Sequence, residues 1–114
     1  MKTNTQFHGN IPPHLIGKHL REIVKTETSH FKILTGYGST SGQSLSKNAA
    51  ISSLSKMVKE GLIEGFLPGE AKTKLYPSTS IITQMKFQFE SVIKTDVDYG
   101  NEGIIFIFIH KAKK

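Results

Sequence analysis

Three features of this chain could do chemistry on an anion: an early imidazole, a glycine-rich turn and a lysine beyond it. The turn lies in Phe31-Lys32-Ile33-Leu34-Thr35-Gly36-Tyr37-Gly38-Ser39-Thr40-Ser41-Gly42. Residues 31–34 form a short apolar run of strand type, and Leu45, Ala49, Leu54, Met57 and Val58 follow at helical spacing. Strand, glycine loop and helix in that order build an anion site. Glycines let the main chain approach a ligand closely, and the loop N–H groups converge with the unpaired donors of the first helical turn. The helix dipole favours negative charge at the same point.

On this reading Gly36 and Gly38 hold a backbone phosphate, assisted by the hydroxyls of Thr35, Ser39, Thr40 and Ser41. Lys47 would sit against the same phosphate, and Tyr37 would stack on a base. The plainer alternatives are a structural turn, a solvated lysine and a partly buried loop aromatic. The loop is not a P-loop, since no Gly-Lys-Ser/Thr follows. It is not a dinucleotide fingerprint either, because no acidic residue ends a second strand about twenty residues on.

His8 is the best candidate for proton transfer. Imidazole can accept a proton from a ribose hydroxyl or water near neutral pH, and its protonated form can steady a phosphorane. The alternative is a strand-end histidine bonded to a carbonyl. His14, His19, His30 and His110 are scattered, and His19 lies on an apolar stripe where a satisfied core histidine is expected. Asp96, Asp98 and Glu102 lack the remaining ligands of a calcium loop and read as an acidic hairpin. Neither a metal site nor a cofactor is expected.

These groups need elements to position them. Thr5-Gln6-Phe7-His8-Gly9 reads as a short strand end after a loose leader at residues 1–5. Pro12 and Pro13 introduce a helix whose apolar stripe is Leu15, Ile16, His19, Leu20, Ile23 and Val24. A second helix spans about residues 44–60 and stops at Gly61. A strand follows at 62–67, closed by Pro68-Gly69, and residues 70–78 are polar and turn-rich. Residues 79–94 fit a helix through Ile82, Met85, Phe89, Val92 and Ile93, although Met85, Phe87 and Phe89 also alternate like a strand. The final run, 104–109, is apolar on both faces, which places it in the middle of a sheet covered by helices. The alternation of strands and helices predicts an α/β fold, a two-layer or three-layer sandwich.

At 114 residues the chain is expected to form one domain. Fifteen Lys and Arg against nine Asp and Glu give a net charge of +6, a hint of nucleic acid as partner. Arg21 is the only arginine, so phosphate contacts are favoured over base-edge reading. There are no cysteines, which excludes disulfides and thiolate metal sites. No apolar run reaches the length of a membrane span, and the polar N-terminus carries no signal region. An intracellular, cytoplasmic protein with no membrane partner is expected.

In order and spacing, these pieces resemble the small MutS-related (Smr) domain. That family opens with Leu-Asp-Leu-His-Gly, continues through a helix to a strand ending in His/Thr-Gly-x-Gly, and then carries a helix signature Leu-Arg-x-x-Val-x-x-x-Leu. A Gly-rich turn leads into its last strand. Here Phe7, His8 and Gly9 match the first motif, and Thr35, Gly36 and Gly38 match the second in full. Lys47 stands at the basic position of the helix signature, with Ala50 and Leu54 at apolar ones, and Gly103 precedes the closing strand. The resemblance covers roughly residues 5–69 and 100–109. It implies a mixed sheet of about four strands with two main helices; an insertion within about 71–99, holding a helix before the last strand, departs from the family's pattern.

The resemblance also implies nucleic-acid binding and, in several members, cleavage of RNA or structured DNA. His8 and Gln6 then stand at the catalytic positions of the opening motif, and the glycine loop beside them. Gln6 replaces the family's aspartate and cannot take a proton at neutral pH. If cleavage occurs, it would be a metal-independent phosphodiester step with His8 as general base or acid. The alternatives are a catalytically silent RNA- or DNA-binding module and a protein-interaction adaptor that uses the insertion.

Overall fold

The computed structural model of the chain describes residues 1–7, 11–35 and 45–110. Its centre is the run that is apolar on both faces. Ile104–Phe108 forms a strand, β4, and every residue in it is buried. Antiparallel to it on one side lies β2, Phe31–Leu34, with Phe31 opposite Ile107 and Ile33 opposite Ile105. On the other side lies β3, Gly65–Pro68, also antiparallel. A two-residue strand, β1, Lys2–Thr3, runs parallel to β2 at the edge, giving the order β1-β2-β4-β3.

Strand alternation divides the core between two faces. Phe31, Ile33, Phe66, Ile105 and Ile107 point to one, and all are fully buried. Helices α1, Pro13–Thr26, and α2, Leu45–Lys59, pack side by side and supply the cover. Ile16, Leu20 and Ile23 of α1 and Ala50, Leu54 and Met57 of α2 form the buried stripes. On the opposite face Phe106 and Phe108 are covered by the third helix, α3, Ile81–Ile93, and the loop that follows it. Phe89 of α3 stacks on Phe108 at 4.3 Å, and Tyr99 meets Phe106 edge-on. The sandwich therefore has three layers: α1 and α2, the sheet, then α3.

Local signals set the helix ends. Pro13 occupies the first turn of α1, where its missing N–H costs nothing. The α2 helix closes on Gly61 at φ +80°, with Leu62 N–H bonded to Met57 O and Gly61 N–H to Val58 O. That closure delays β3 to Gly65, three residues later than the apolar pattern suggests. The Ser80 hydroxyl accepts the Ile82 N–H and caps α3, so the ambiguous stretch 79–94 resolves as a helix over Ile81–Ile93. A 3-10 turn, Gly69–Lys72, follows β3 directly.

The first strand departs from expectation. Pairing falls at Lys2–Thr3, continued by the Asn4 N–H bonded to Lys32 O, so residues 2–3 are strand rather than part of a loose leader. Thr5 and Gln6 turn away because the Asn4 side-chain oxygen accepts the Gln6 N–H, and the Asn4 amide is anchored on Glu27 at 2.5 Å.

The α3 side of β2 carries a buried cation. Lys32 contacts Asp96 and Asp98 at 2.8 Å each, and the N-terminal ammonium meets Asp96 at 3.0 Å. Burial pushes the Asp96 carboxyl up, but hydrogen bonds from Lys32, the Asp98 N–H and the N-terminal ammonium outweigh it, leaving a value of about 2. A carboxyl depressed by folding stabilises the fold fully above its ordinary value of about 4 and loses that contribution as the pH falls toward 2. Asp96→Asn is expected to cost about 3 kcal/mol at neutral pH and to flatten the acid limb of stability between about pH 4 and 2. Urea unfolding followed by circular dichroism across that range reads both effects. An unchanged acid limb in the variant refutes the assignment.

Candidate nucleic-acid interface

Parallel pairing of β1 with β2 sends the chain leaving each strand toward the same end of the sheet. β3 runs in the same direction as β2, since both are antiparallel to β4. The 3-10 turn after β3 and the first turn of α2 therefore lie at that end too. Among the predicted site residues, Gln6, Thr35 and Lys47 are described. His8, Gly36, Tyr37, Gly38 and Ser39 lie outside the described residues, as do Thr40 and Ser41.

Gln6 is exposed, and its carbonyl is 2.9 Å from His19 Nε2 on α1. His19 is thus a half-buried histidine with a backbone partner that also touches the Phe7 ring, and it holds the segment leading to His8. Thr35 is buried, and both its N–H and its hydroxyl donate to Gly103 O, at 2.7 and 3.2 Å. These bonds tie the start of the glycine loop to the turn before β4. Thr35 accordingly has a structural part in addition to any ligand contact.

Lys47 reaches across to the 3-10 turn and pairs with Glu70, a residue the sequence reading passed over. Glu70 also accepts the Tyr76 hydroxyl at 3.0 Å and lies 3.5 Å from Lys74. Burial raises the Glu70 carboxyl, but hydrogen bonds from Lys47 and Tyr76 outweigh it and hold the group below its ordinary range. The same contacts work in reverse on Tyr76, whose phenol is raised by burial and by its bond to the carboxylate. A signal for Glu70 was present: it is the sole acid between Glu64 and Glu90, it directly follows Pro68-Gly69, and lysines follow it at 72 and 74.

Most acidic groups are spent on internal partners. Glu27 pairs with Lys2, Glu60 with Arg21, Asp96 and Asp98 with Lys32, and Glu90 accepts the Tyr99 hydroxyl. By contrast Lys18, Lys25, Lys56, Lys59, Lys72, Lys86 and Lys94 form no salt bridge among the described residues. All of these lysines but the half-buried Lys86 are exposed, where their charge can meet an anionic partner. Among the described residues no group of three or more His, Asp or Glu could hold a metal ion, and no helix is long and apolar enough to cross a membrane.

Comparison of the chain with protein-family models, with curated proteins and with solved structures finds no match. The functional reading accordingly rests on the motifs, the fold and the local electrostatics.

Glu70→Gln removes the charge that Lys47 and Tyr76 share. The Tyr76 phenol should ionise at lower pH in the variant, closer to ordinary tyrosine, as phenolate absorbance will show on alkaline titration. Identical titration curves for the two proteins would mean that the carboxylate does not govern this cluster.

Proposed function

We propose that this chain is an Smr-like nucleic-acid-binding domain that takes a backbone phosphate at the end of the sheet where β1, β2 and β3 finish. The observation that carries the reading is topological. The parallel β1–β2 pair directs the segment leading to His8 and the segment opening the glycine loop toward one end, and Lys47 stands there in the first turn of α2. The surplus of +6 supplies long-range attraction for a polyanion. Binding is the primary activity in this proposal. Cleavage of RNA or structured DNA would be a second step that depends on His8, because Gln6 offers hydrogen bonds but no proton exchange.

A protein-adaptor reading draws on the inserted segment, where Phe87 and Val97 are each 93% exposed. One experiment separates the readings. Wild type, His8→Ala and Lys47→Ala are incubated with labelled single-stranded, hairpin and nicked substrates over a range of salt. Lys47→Ala should weaken binding roughly three- to tenfold and reduce the logarithmic salt slope by about 0.7–0.9. His8→Ala should retain affinity and abolish any cleavage that wild type displays. Absence of salt-sensitive affinity in the wild type refutes nucleic-acid binding and leaves the adaptor.

A further inference from the structure

The start of the insertion contributes a surface beside Lys47 that folding alone does not explain. Residues 73–76 follow the Gly69–Lys72 turn, with Thr73 and Lys74 N–H both bonded to Glu70 O. Tyr76 returns to the Glu70 carboxylate that Lys47 also meets, so this strip and the candidate phosphate position share one hub. Two lysines along it are held over aromatic rings. Lys72 Nζ lies 6.0 Å from the Tyr99 ring centre, and Lys74 Nζ lies 5.3 Å from that of Tyr76. Directly after them Leu75 is 91% exposed.

We propose that Lys72, Lys74 and Leu75 form the path along which an unpaired nucleic-acid strand continues from the phosphate held near Lys47; the inference rests on the nucleic-acid reading above. A cation restrained by a ring has already lost part of its rotamer freedom, so it gives up less on meeting a phosphate. An exposed aliphatic side chain next to such a cation in sequence offers van der Waals contact to a base. Only an unpaired strand can use it, because a duplex keeps its base faces stacked inside and presents a stiffer outline. Lysine point charges suit sequence-tolerant binding.

The test uses the full chain and fluorescence anisotropy with a labelled oligouridylate of about 12 nucleotides, beside an RNA duplex of equal length. Lys72→Gln/Lys74→Gln should lower single-strand affinity roughly five- to twentyfold and cut the salt slope by about 1.4. Leu75→Ser should lower it about threefold with the slope unchanged, since no ion is released. Duplex affinity should move less than about twofold in each case. Lys86→Gln/Lys94→Gln, on and just beyond α3, removes the same charge elsewhere and should have a smaller effect. All of these side chains but Lys86 are exposed, and a melting curve matched to wild type confirms the fold. Equal losses on duplex and single strand, or equal losses from the Lys86/Lys94 variant, overturn the path. Unchanged affinity in the strip variants while Lys47→Ala still weakens binding overturns the path alone. A wild type that binds neither probe overturns the path and the nucleic-acid reading together.

Discussion

The constraint behind this architecture is that β4 has no solvent face. Five consecutive apolar residues alternate between two sides of the sheet, so each side needs its own cover. The paired helices α1 and α2 meet the need on one side, and α3 meets it on the other. The segment from residue 70 to 99 is therefore an integral layer of the core. Phe89 against Phe108 is the contact that binds it there, and Gly65 makes room: a Cβ at that position would come within 2.6 Å of both Phe89 and Met85.

Charge is partitioned in a similar way. Acids are drawn inward or into pairs, whereas most unpaired cations remain at the surface. The Lys32 cluster illustrates the first half, since its two carboxylates neutralise a lysine on a central strand and occupy the acidic loop. Burial costs are met there by several hydrogen bonds at once, the condition under which a buried ion pair is tolerated. Glu70, just after β3, is a smaller version, with one carboxylate shared by an ammonium and a phenol.

Much of the fold was legible in the sequence. The 31–34 strand, both flanking helices, Gly61 as a stop and the doubly apolar final strand follow from periodicity and turn chemistry. The first strand did not, because Lys2-Thr3 has no apolar alternation. It is a strand only because β2 presents a free edge and Asn4 finds partners on Lys32 and Glu27. That Thr35 directly follows β2 and that Lys47 stands in the first turn of α2 could be inferred from motif order. The tie from Thr35 to Gly103 and the pairing of Lys47 with Glu70 could not. Both join residues far apart in sequence, and neither leaves a periodic trace.

The junction of residues 70–99 with the sheet has a further consequence. Gly100 N–H bonds to Gly69 O at 2.9 Å, and the Asn101 carbonyl sits where a Gly69 Cβ would otherwise be. Departure and return are thus adjacent, and residues 70–99 form a closed excursion with a narrow neck. Such a cassette can lengthen or shorten without pulling on the strands, because end-to-end closure costs little extra per added residue. What the core requires of it is a lid for Phe106 and Phe108.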